Sequence, residues 1–488
     1  MRWRWLWLPV ALFLTLAGWA VTSPVGSAPD DDFHLSSIWC SWPADACEPT
    51  ADDQAILVPR NVVQSADCFR YRDDVTADCT EATSADSSLV IVTHVNQIEH
   101  LYPTGFHTAM AVFVGDDVER SVITMRLINA AVVSVLLALL MRVAPVGISS
   151  ATLIALAVTS IPLGLFILAS TNPSSWAVGG IVLFWGFASA LLRRSSWRSR
   201  RTWLVLAGAI ATAAMAMTSR VDTGAYLLLA AVLALIAAGP RRWRRLSSGV
   251  VAVLGILGFI TYVTFETPLV GDGAPLGTAD AGLGLLLSNA VYLPILWSGI
   301  VGTSGLGWND TAMPTLVPFV GVAALGGLAW LGLSHLWRAK AVAVGVAFGA
   351  FALVPLWFLQ REGLVVGELV QSRYLAPLLA LLMATLLLPR QSDRPLPWPI
   401  APAAVVATAL AVTSTLAFWI NARRYSFGAD AALFDVRDAP VWTGPLSVHP
   451  AVLTLLVAVT SSVVIVGALL PPALAHRTPR SRPDRVAA

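Results

Sequence analysis

Three carboxylates and an imidazole lie close together in the segment Pro29–His34, which reads Pro-Asp-Asp-Asp-Phe-His. The chain is 56% apolar and only 12% charged, so this grouping marks a place where chemistry is expected. Carboxylates act as general bases, and crowding of like charges is expected to raise the pKa of at least one of them. A divalent cation held by Asp30–Asp32 would instead keep all three ionised. The candidate catalytic residues are therefore Asp30, Asp31 and His34.

Arginines, aromatic rings and further acids recur where other apolar segments begin or end. The planar fork of an arginine suits a phosphate group, and a neighbouring Trp or Tyr ring suits the face of a sugar. This inventory fits transfer of a glycosyl group from a lipid phosphate to a hydroxyl. The candidate substrate-binding and phosphate-binding residues are Arg126, Arg220, Asp222, Trp308, Asp310, Arg373 and Tyr374.

Structural alternatives stand beside several of these assignments. Arg126 lies one turn inside a predicted span, where it either snorkels to the interface or pairs with an anion such as the acidic triplet. Arg220 and Asp222 fit a simple interfacial pair equally well. Arg373 and Tyr374 also fit an ordinary aromatic–basic anchor at the membrane boundary.

Histidines recur with a glutamate in the segment that precedes the second apolar run. His94, Glu99, His100 and His107 are close enough in sequence to suggest metal ligation, yet they lack the spacing of a zincin helix. A helix on the membrane surface with incidental histidines is the favoured interpretation. The identity of any metal is left open.

Repeated long apolar segments define the class of protein. The chain has 488 residues and a mean hydropathy of +0.72, which excludes an ordinary soluble globule. Runs of about 17–25 apolar residues are long enough to cross a membrane as helices. Apart from a closed β-barrel, a helix is the only structure in which every backbone N–H and C=O is hydrogen-bonded in lipid. The sequence predicts an all-α polytopic membrane protein with spans at 5–22, 124–143, 148–168, 176–192, 202–217, 225–239, 247–265, 314–334, 341–359, 373–389, 399–420 and 451–471.

The charged residues are sorted by side of the membrane. With this topology most of the 31 basic residues fall in loops on one side, whereas only Asp393 and Asp484 of the 29 acidic residues fall there. The positive-inside rule then predicts a plasma-membrane protein with both termini in the cytoplasm and residues 23–122 outside. The first run follows a basic start and is interpreted as an uncleaved span; a cleaved signal peptide is the alternative.

One apolar stretch is not counted as a span. Treating residues 281–303 as a crossing would invert every later loop, so they are expected to lie along or re-enter the outer interface, within an interfacial segment 268–312. Residues 1–471 then form a single integral-membrane domain. The Pro- and Arg-rich tail, residues 472–488, is expected to be disordered and cytoplasmic.

All four cysteines lie in the first outer loop, an oxidising compartment in which two disulfides are expected. Four cysteines allow three pairings. The preferred pairing is local, Cys40 with Cys47 and Cys68 with Cys79, with a structural role. Four free thiols are the alternative.

Several of these segments together resemble a known family. The bacterial membrane proteins grouped as domain of unknown function 2142, placed within the GT-C class of glycosyltransferases, carry Pro-Asp-Glu-x-x-His, Tyr-Pro-Pro, Arg-Leu, Gly-Trp-Leu-Asp-Thr and Gln-Gly-Arg-Tyr motifs. The matching segments here are Pro29–His34 with Asp for Glu, Tyr102–Thr104, Arg126–Leu127, Gly307–Thr311 and Gln371–Tyr374.

The resemblance implies a GT-C-like bundle of about 12 helices with a large first extracytoplasmic loop. It further implies that Asp30 or Asp31 is the base and that Arg373, with Tyr374, faces the phosphate of a polyprenyl-phosphate sugar donor. The acceptor would be an envelope glycan or lipid, and membrane lipids, not nucleic acid, would be the other partners. A transporter or flippase of lipid-linked precursors and a non-catalytic envelope assembly protein are the alternatives.

Overall fold

The computed structural model describes residues 4–265, 276–434 and 439–475. Most of these residues are helical. The helices are α1 (Arg4–Val21), α2 (Asp31–Trp39), α3 (Arg60–Val63), α4 (Glu81–Ser84), α5 (Asn96–Glu99), α6 (Gly105–Ala111), α7 (Val118–Val143), α8 (Val146–Thr159), α9 (Leu163–Leu168), α10 (Ser174–Leu191), α11 (Arg200–Ser219), α12 (Val221–Ala238), α13 (Leu246–Thr264), α14 (Leu283–Gly299), α15 (Leu316–Leu333), α16 (Arg338–Arg361), α17 (Ser372–Leu386), α18 (Ile400–Phe427) and α19 (Pro450–Ala475).

Long apolar helices account for most of the described chain. Nine of them have at least 18 residues and the hydropathy of a membrane span: α7, α10, α11, α12, α13, α15, α16, α18 and α19. Four shorter apolar helices, α1, α8, α14 and α17, pack among them. The structure is therefore that of a multi-pass membrane protein. The sequence predicted about twelve spans, and nine described helices meet the length and hydropathy expected of one.

The predicted span 148–168 is two helices. Helix α8 ends at Thr159 and α9 begins at Leu163, with Pro162 between them. Pro162 has no backbone N–H and removes one helical hydrogen bond, and the apolar run breaks at this residue. Both pieces are buried inside the bundle.

Three helices at the centre of the bundle connect its two ends. Helices α10, α12 and α17 pack against one another, and α10 is almost wholly buried. An 18-residue helix is about 27 Å long, which is close to the thickness of a bilayer core. Each begins at what we term the acidic end, where Asp30, Arg220 and Arg373 lie. The other terminus of each helix lies at what we term the basic end, where Arg193, Arg242 and Arg390 lie.

The segment between α1 and α7 is the predicted large loop, and it is folded. It contains a three-stranded antiparallel sheet formed by β1 (Glu48–Pro49), β2 (Ile56–Pro59) and β3 (Leu89–Val92), with β2 in the middle. The expectation of an all-α chain is corrected at this point. Alternating burial along β2 places every second side chain against a small apolar core that also contains Leu35, Ile38 and Phe106.

Two disulfides close short loops within this segment. Cys40 is bonded to Cys47, and Cys68 is bonded to Cys79. These are the two local pairings that the sequence favoured, and the described residues include no free cysteine.

Both termini of helix α14 contact residues at the acidic end of the bundle. The side-chain amide of Gln360, near the end of α16, donates to the carbonyl of Gly282 just before α14. Gly299 at the other end packs against Ser372, the first residue of α17. That residues 281–303 lie along or re-enter the outer interface stays a prediction. Residues 268–275 of the predicted interfacial segment, and 476–488 of the predicted disordered tail, lie outside the described residues.

Candidate functional site

The acidic triplet lies at the start of α2, and its three carboxylates point in different directions. Asp30 precedes the helix with a left-handed backbone (φ 59°), and the next two residues form its first turn. Successive residues of a helix point about 100° apart, so the carboxylates separate. Each faces its own arginine: Asp30 pairs with Arg373, Asp31 with Arg126 at 3.7 Å, and Asp32 with Arg70 at 2.7 Å.

Because the three carboxylates point apart, they do not form the shared metal site that the sequence suggested, and their charges are less crowded than expected. Among residues 4–265, 276–434 and 439–475, no group of three or more His, Cys, Asp or Glu side chains is arranged to hold a metal ion. The triplet Asp30–Asp32 and the histidine segment both lie within these residues. Each carboxylate of the triplet pairs with an arginine.

The carboxylate of Asp31 is enclosed by protein and has a structural role. It is fully buried, and its oxygens accept hydrogen bonds from the Ala28 amide at 3.0 Å and the Thr171 hydroxyl at 2.8 Å. Burial raises the pKa of Asp31 to about 6, against the opposing effects of Arg126 and Thr171. Crowding by like charges was expected to raise a pKa in the triplet. The pKa of Asp31 is raised, but mainly by burial, and the charge of the neighbouring Asp32 has the smallest effect of the causes named.

Asp30 is the accessible carboxylate of the pair expected to supply a base. About a third of its side chain (34%) is exposed, whereas the Arg373 side chain beside it is 3% exposed. Arg373 also donates to the Tyr374 hydroxyl at 3.2 Å, and its guanidinium lies 5.0 Å from the centre of the Tyr374 ring. The segment that opens α17 therefore meets the segment that opens α2, as the sequence required of a shared site.

A second arginine joins this group from the turn between α11 and α12. The Arg220 guanidinium lies 4.1 Å from the centre of the Tyr374 ring and 5.9 Å from that of Tyr102. Its Nε and Nη2 donate to the two oxygens of Asp222 at 3.0 and 3.2 Å. Arg220 and Arg373 thus contact the same ring, one held by Asp222 and the other by Asp30. We call Asp30, Tyr102, Arg220, Arg373 and Tyr374 the arginine–tyrosine cluster.

The chemistry available to this cluster is anion binding beside a carboxylate. Two guanidiniums within reach of one tyrosine ring provide several N–H donors, and guanidiniums match phosphate oxygens in geometry. Burial raises the pKa of Tyr102, so its hydroxyl remains a neutral donor. The partly exposed carboxylate of Asp30 is the group in the cluster able to accept a proton from an incoming molecule.

Arg126 has a bracing role. It is almost fully buried, and it donates to the backbone carbonyls of Ala20 at 3.2 Å, of Ser23, and of Pro24 at 2.9 Å. Together with its ion pair to Asp31, these bonds fix the turn that leads from α1 to α2. The snorkelling alternative does not apply, because the guanidinium is enclosed by protein.

His34 is enclosed as well, next to a second histidine. Its Nδ1 lies 3.3 Å from Nε2 of His107, and both rings are buried against Tyr102 and Phe33. Burial lowers the pKa of His34 well below its usual range and that of His107 to about 3, so both imidazoles are neutral. His94, by contrast, pairs with a glutamate on the surface.

Trp308 and Asp310 form a neighbouring part of the acidic end. The Trp308 indole N–H donates to the carbonyl of Gly26 at 2.9 Å, and the Arg70 guanidinium lies 4.9 Å from its ring. Asp310 accepts from the Tyr71 amide at 3.2 Å and pairs with buried Arg424 at 3.4 Å. Both residues thus hold the first loop against the segment before α15.

Three polar residues of the acidic end were missed as site residues by reasoning from sequence. Arg70 and Arg424 hold Asp32 and Asp310, and the side-chain amide of Asn172 donates to the Pro29 carbonyl at 2.8 Å. The signal for Arg424 was its position just after a predicted span, where a buried arginine requires an anion. Arg70 lies between disulfide-bonded loop residues and carried no such signal.

The described geometry agrees with the comparison against protein families. A family model described as "Predicted membrane protein (DUF2142)" matches residues 13–382, a segment that includes every member of the arginine–tyrosine cluster. Comparisons with curated proteins and with solved structures returned no match. Because the model covers most of the chain, the protein belongs to the DUF2142 family of predicted membrane proteins.

Proposed function

We propose that this protein is a GT-C-type glycosyltransferase of the plasma membrane. It would transfer a sugar from a polyprenyl-phosphate donor to an envelope glycan or lipid acceptor at the outer face. The observation that carries the proposal is the partly exposed carboxylate of Asp30 in contact with buried Arg373 and close to Arg220. A base and a pair of phosphate-binding groups are what this transfer needs in one place.

In the proposed reaction the phosphate of the donor binds to Arg373 and Arg220. The acceptor hydroxyl attacks the anomeric carbon of the sugar and gives its proton to the Asp30 carboxylate. A new carbon–oxygen bond forms as the bond from the anomeric carbon to the phosphate oxygen breaks, and the electron pair leaves with the polyprenyl phosphate. The two guanidiniums stabilise the charge that develops on this leaving group.

The ion pair between Asp30 and Arg373 fits the state before substrate binding. Arg373 is nearly inaccessible to water, so a partner must neutralise it until a phosphate arrives. A donor phosphate would take over the guanidinium and release Asp30 to act on the acceptor. Asp31 and His34 do not suit this role, since both are fully buried and engaged elsewhere.

Aromatic side chains near the triplet suit the carbohydrate. The Tyr71 ring is largely exposed and packs edge-on against Trp308, with ring centres 5.8 Å apart. Trp308 is itself fixed by Gly26, three residues before the triplet segment begins at Pro29. The exposed ring of Tyr71 supports sugar binding by the acidic end. We place this end outside the cell and both termini in the cytoplasm, because the basic residues are concentrated at the other end.

The test is a transfer assay with the purified chain in liposomes, a labelled polyprenyl-phosphate sugar and extracted envelope acceptors. Asp30→Asn is expected to lower transfer by a factor of about 10²–10⁴, as for loss of a general base. Arg373→Gln is expected to lower it by about 10²–10³, as for loss of a charge-stabilising donor. The matched control is Asp86→Asn, which removes an aspartate from an exposed arginine pair in the same loop.

Full activity of Asp30→Asn, or equal losses in Asp86→Asn, would refute the proposal. Label that crosses the bilayer without forming a new glycosidic bond would favour the flippase alternative. Normal envelope assembly in cells that carry Asp30→Asn would favour the assembly-protein alternative.

A further inference from the structure

A second concentration of arginines surrounds a cavity at the basic end of the bundle. The cavity has a volume of about 710 Å³ and is lined by Arg193, Arg242, Arg390 and Arg394, with Asp393 as its one acidic lining residue. These residues come from three connections: α10 to α11, α12 to α13, and α17 to α18. The cavity is therefore at the far ends of the three helices α10, α12 and α17, which begin at the acidic end.

The walls of the cavity are held by backbone contacts. The amide of Gly147, near the start of α8, donates to the carbonyl of Ser392 at 2.7 Å. A Cβ on Gly147 would lie only 2.4 Å from the carbonyl oxygen of Arg394, so the chain passes very close to the helix there. Arg242 donates to the carbonyl of Leu192 at 3.4 Å, which ties two of the connections together.

The four arginines of this cavity outnumber its one acidic lining residue, Asp393. Among the described residues, none of its four arginines forms an ion pair with a carboxylate. Burial and the nearby Arg242 lower the pKa of Arg193 to about 10, with Asp393 opposing the change. Like charges that face one another across a cavity are unfavourable unless an anion lies between them.

We propose that this cavity binds a phosphate group, carried either by an anionic phospholipid or by a soluble phosphate. Guanidiniums bind phosphate oxygens through charge-assisted hydrogen bonds, and several arginines from different connections can surround one phosphate. The volume falls within the range of small-ligand sites. Basic pockets at the ends of membrane helices bind lipid headgroups in the same way.

The experiment uses the full chain in nanodiscs. One arm compares phosphatidylcholine alone with phosphatidylcholine plus phosphatidylglycerol and measures co-purified lipid by native mass spectrometry. The other titrates inorganic phosphate in phosphatidylcholine discs at constant ionic strength and follows thermal unfolding. The test variant is Arg193→Gln with Arg390→Gln, and the matched control is Arg198→Gln with Arg241→Gln, which removes two arginines from the same end of the bundle that do not line the cavity.

Each arginine removed is expected to weaken binding about fivefold, so the test variant loses about 25-fold while the control matches wild type. Enrichment of phosphatidylglycerol alone identifies a lipid headgroup, and stabilisation by inorganic phosphate alone identifies a soluble ligand; either supports the cavity. Equal losses in test and control variants, or wild-type protein indifferent to both probes, would overturn the proposal. If the test variant does not fold, the wild-type preference for phosphatidylglycerol over phosphatidylcholine and its loss in Arg390→Gln alone decide the question.

Discussion

The buried carboxyl group of Asp31 is expected to make the stability of this protein depend on pH. In the folded protein the pKa of Asp31 is raised from 3.8 to about 6, mainly by burial. Its contribution to stability is therefore complete below pH 3.8 and is lost as the pH rises through about 6. A shift of this size corresponds to about 3 kcal/mol of unfolding free energy. Asp31→Asn should remove that pH dependence and leave a constant loss from the altered hydrogen bonds to Ala28 and Thr171.

The assay is thermal unfolding of the purified protein in detergent between about pH 4 and pH 7, with wild type and variant compared at each pH. The difference between them isolates Asp31 from the titratable groups that both proteins share. Asp86→Asn is the control, because hydrogen bonding to Ser88 lowers the pKa of Asp86 and its titration falls below this range. A wild-type curve that runs parallel to that of Asp31→Asn, or that gains stability relative to it as pH rises, would refute the argument.

Three further changes test the braces of the acidic end. Gly26→Ala imposes a side chain on a backbone with φ of +81° and should cost about 1–3 kcal/mol, seen as a lower unfolding midpoint; an unchanged midpoint contradicts the assigned backbone. Joint replacement of Cys68 and Cys79 by Ser should cost about 2–3 kcal/mol relative to oxidised wild type, and reduction of wild type, which also opens Cys40–Cys47, should cost at least as much. Arg424→Met leaves Asp310 buried without its cation and should cost about 3–5 kcal/mol, and adding Asp310→Asn should recover part of that loss.

The sequence identified the segments of the site but not their pairing. Hydropathy and charge indicated that Asp30, Arg220 and Arg373 lie at span ends on one side, and the structure brings those three ends together. Which carboxylate faces which arginine depends on the left-handed backbone at Asp30, a local choice that composition does not encode. The burial of Asp31 likewise depends on Thr171, which lies 140 residues further along the chain.

Other differences follow from long-range packing. Strand β2 pairs with β3, which lies about 30 residues further along the chain, and a four-residue run gives little periodicity to detect. His34 looked reactive beside three acids, yet the helix turns it inward to His107. The proline at position 162 could have indicated the break in the apolar run. Proline alone does not predict a break, however, because several helices here contain one, including α17 with Pro377.

The divergence of the acidic triplet has a consequence for how this protein can be dissected. Through three consecutive residues, the first loop is fastened to two separate membrane helices, α17 by Asp30 and α7 by Asp31, and to its own interior by Asp32. Excising residues 23–117, or exchanging them in a chimaera with those of a relative, would sever ionic links that both portions share. Such hybrids should work only when the arginines of the recipient helices are transplanted along with the loop, because Arg126 and Arg373 pair with carboxylates that the loop carries.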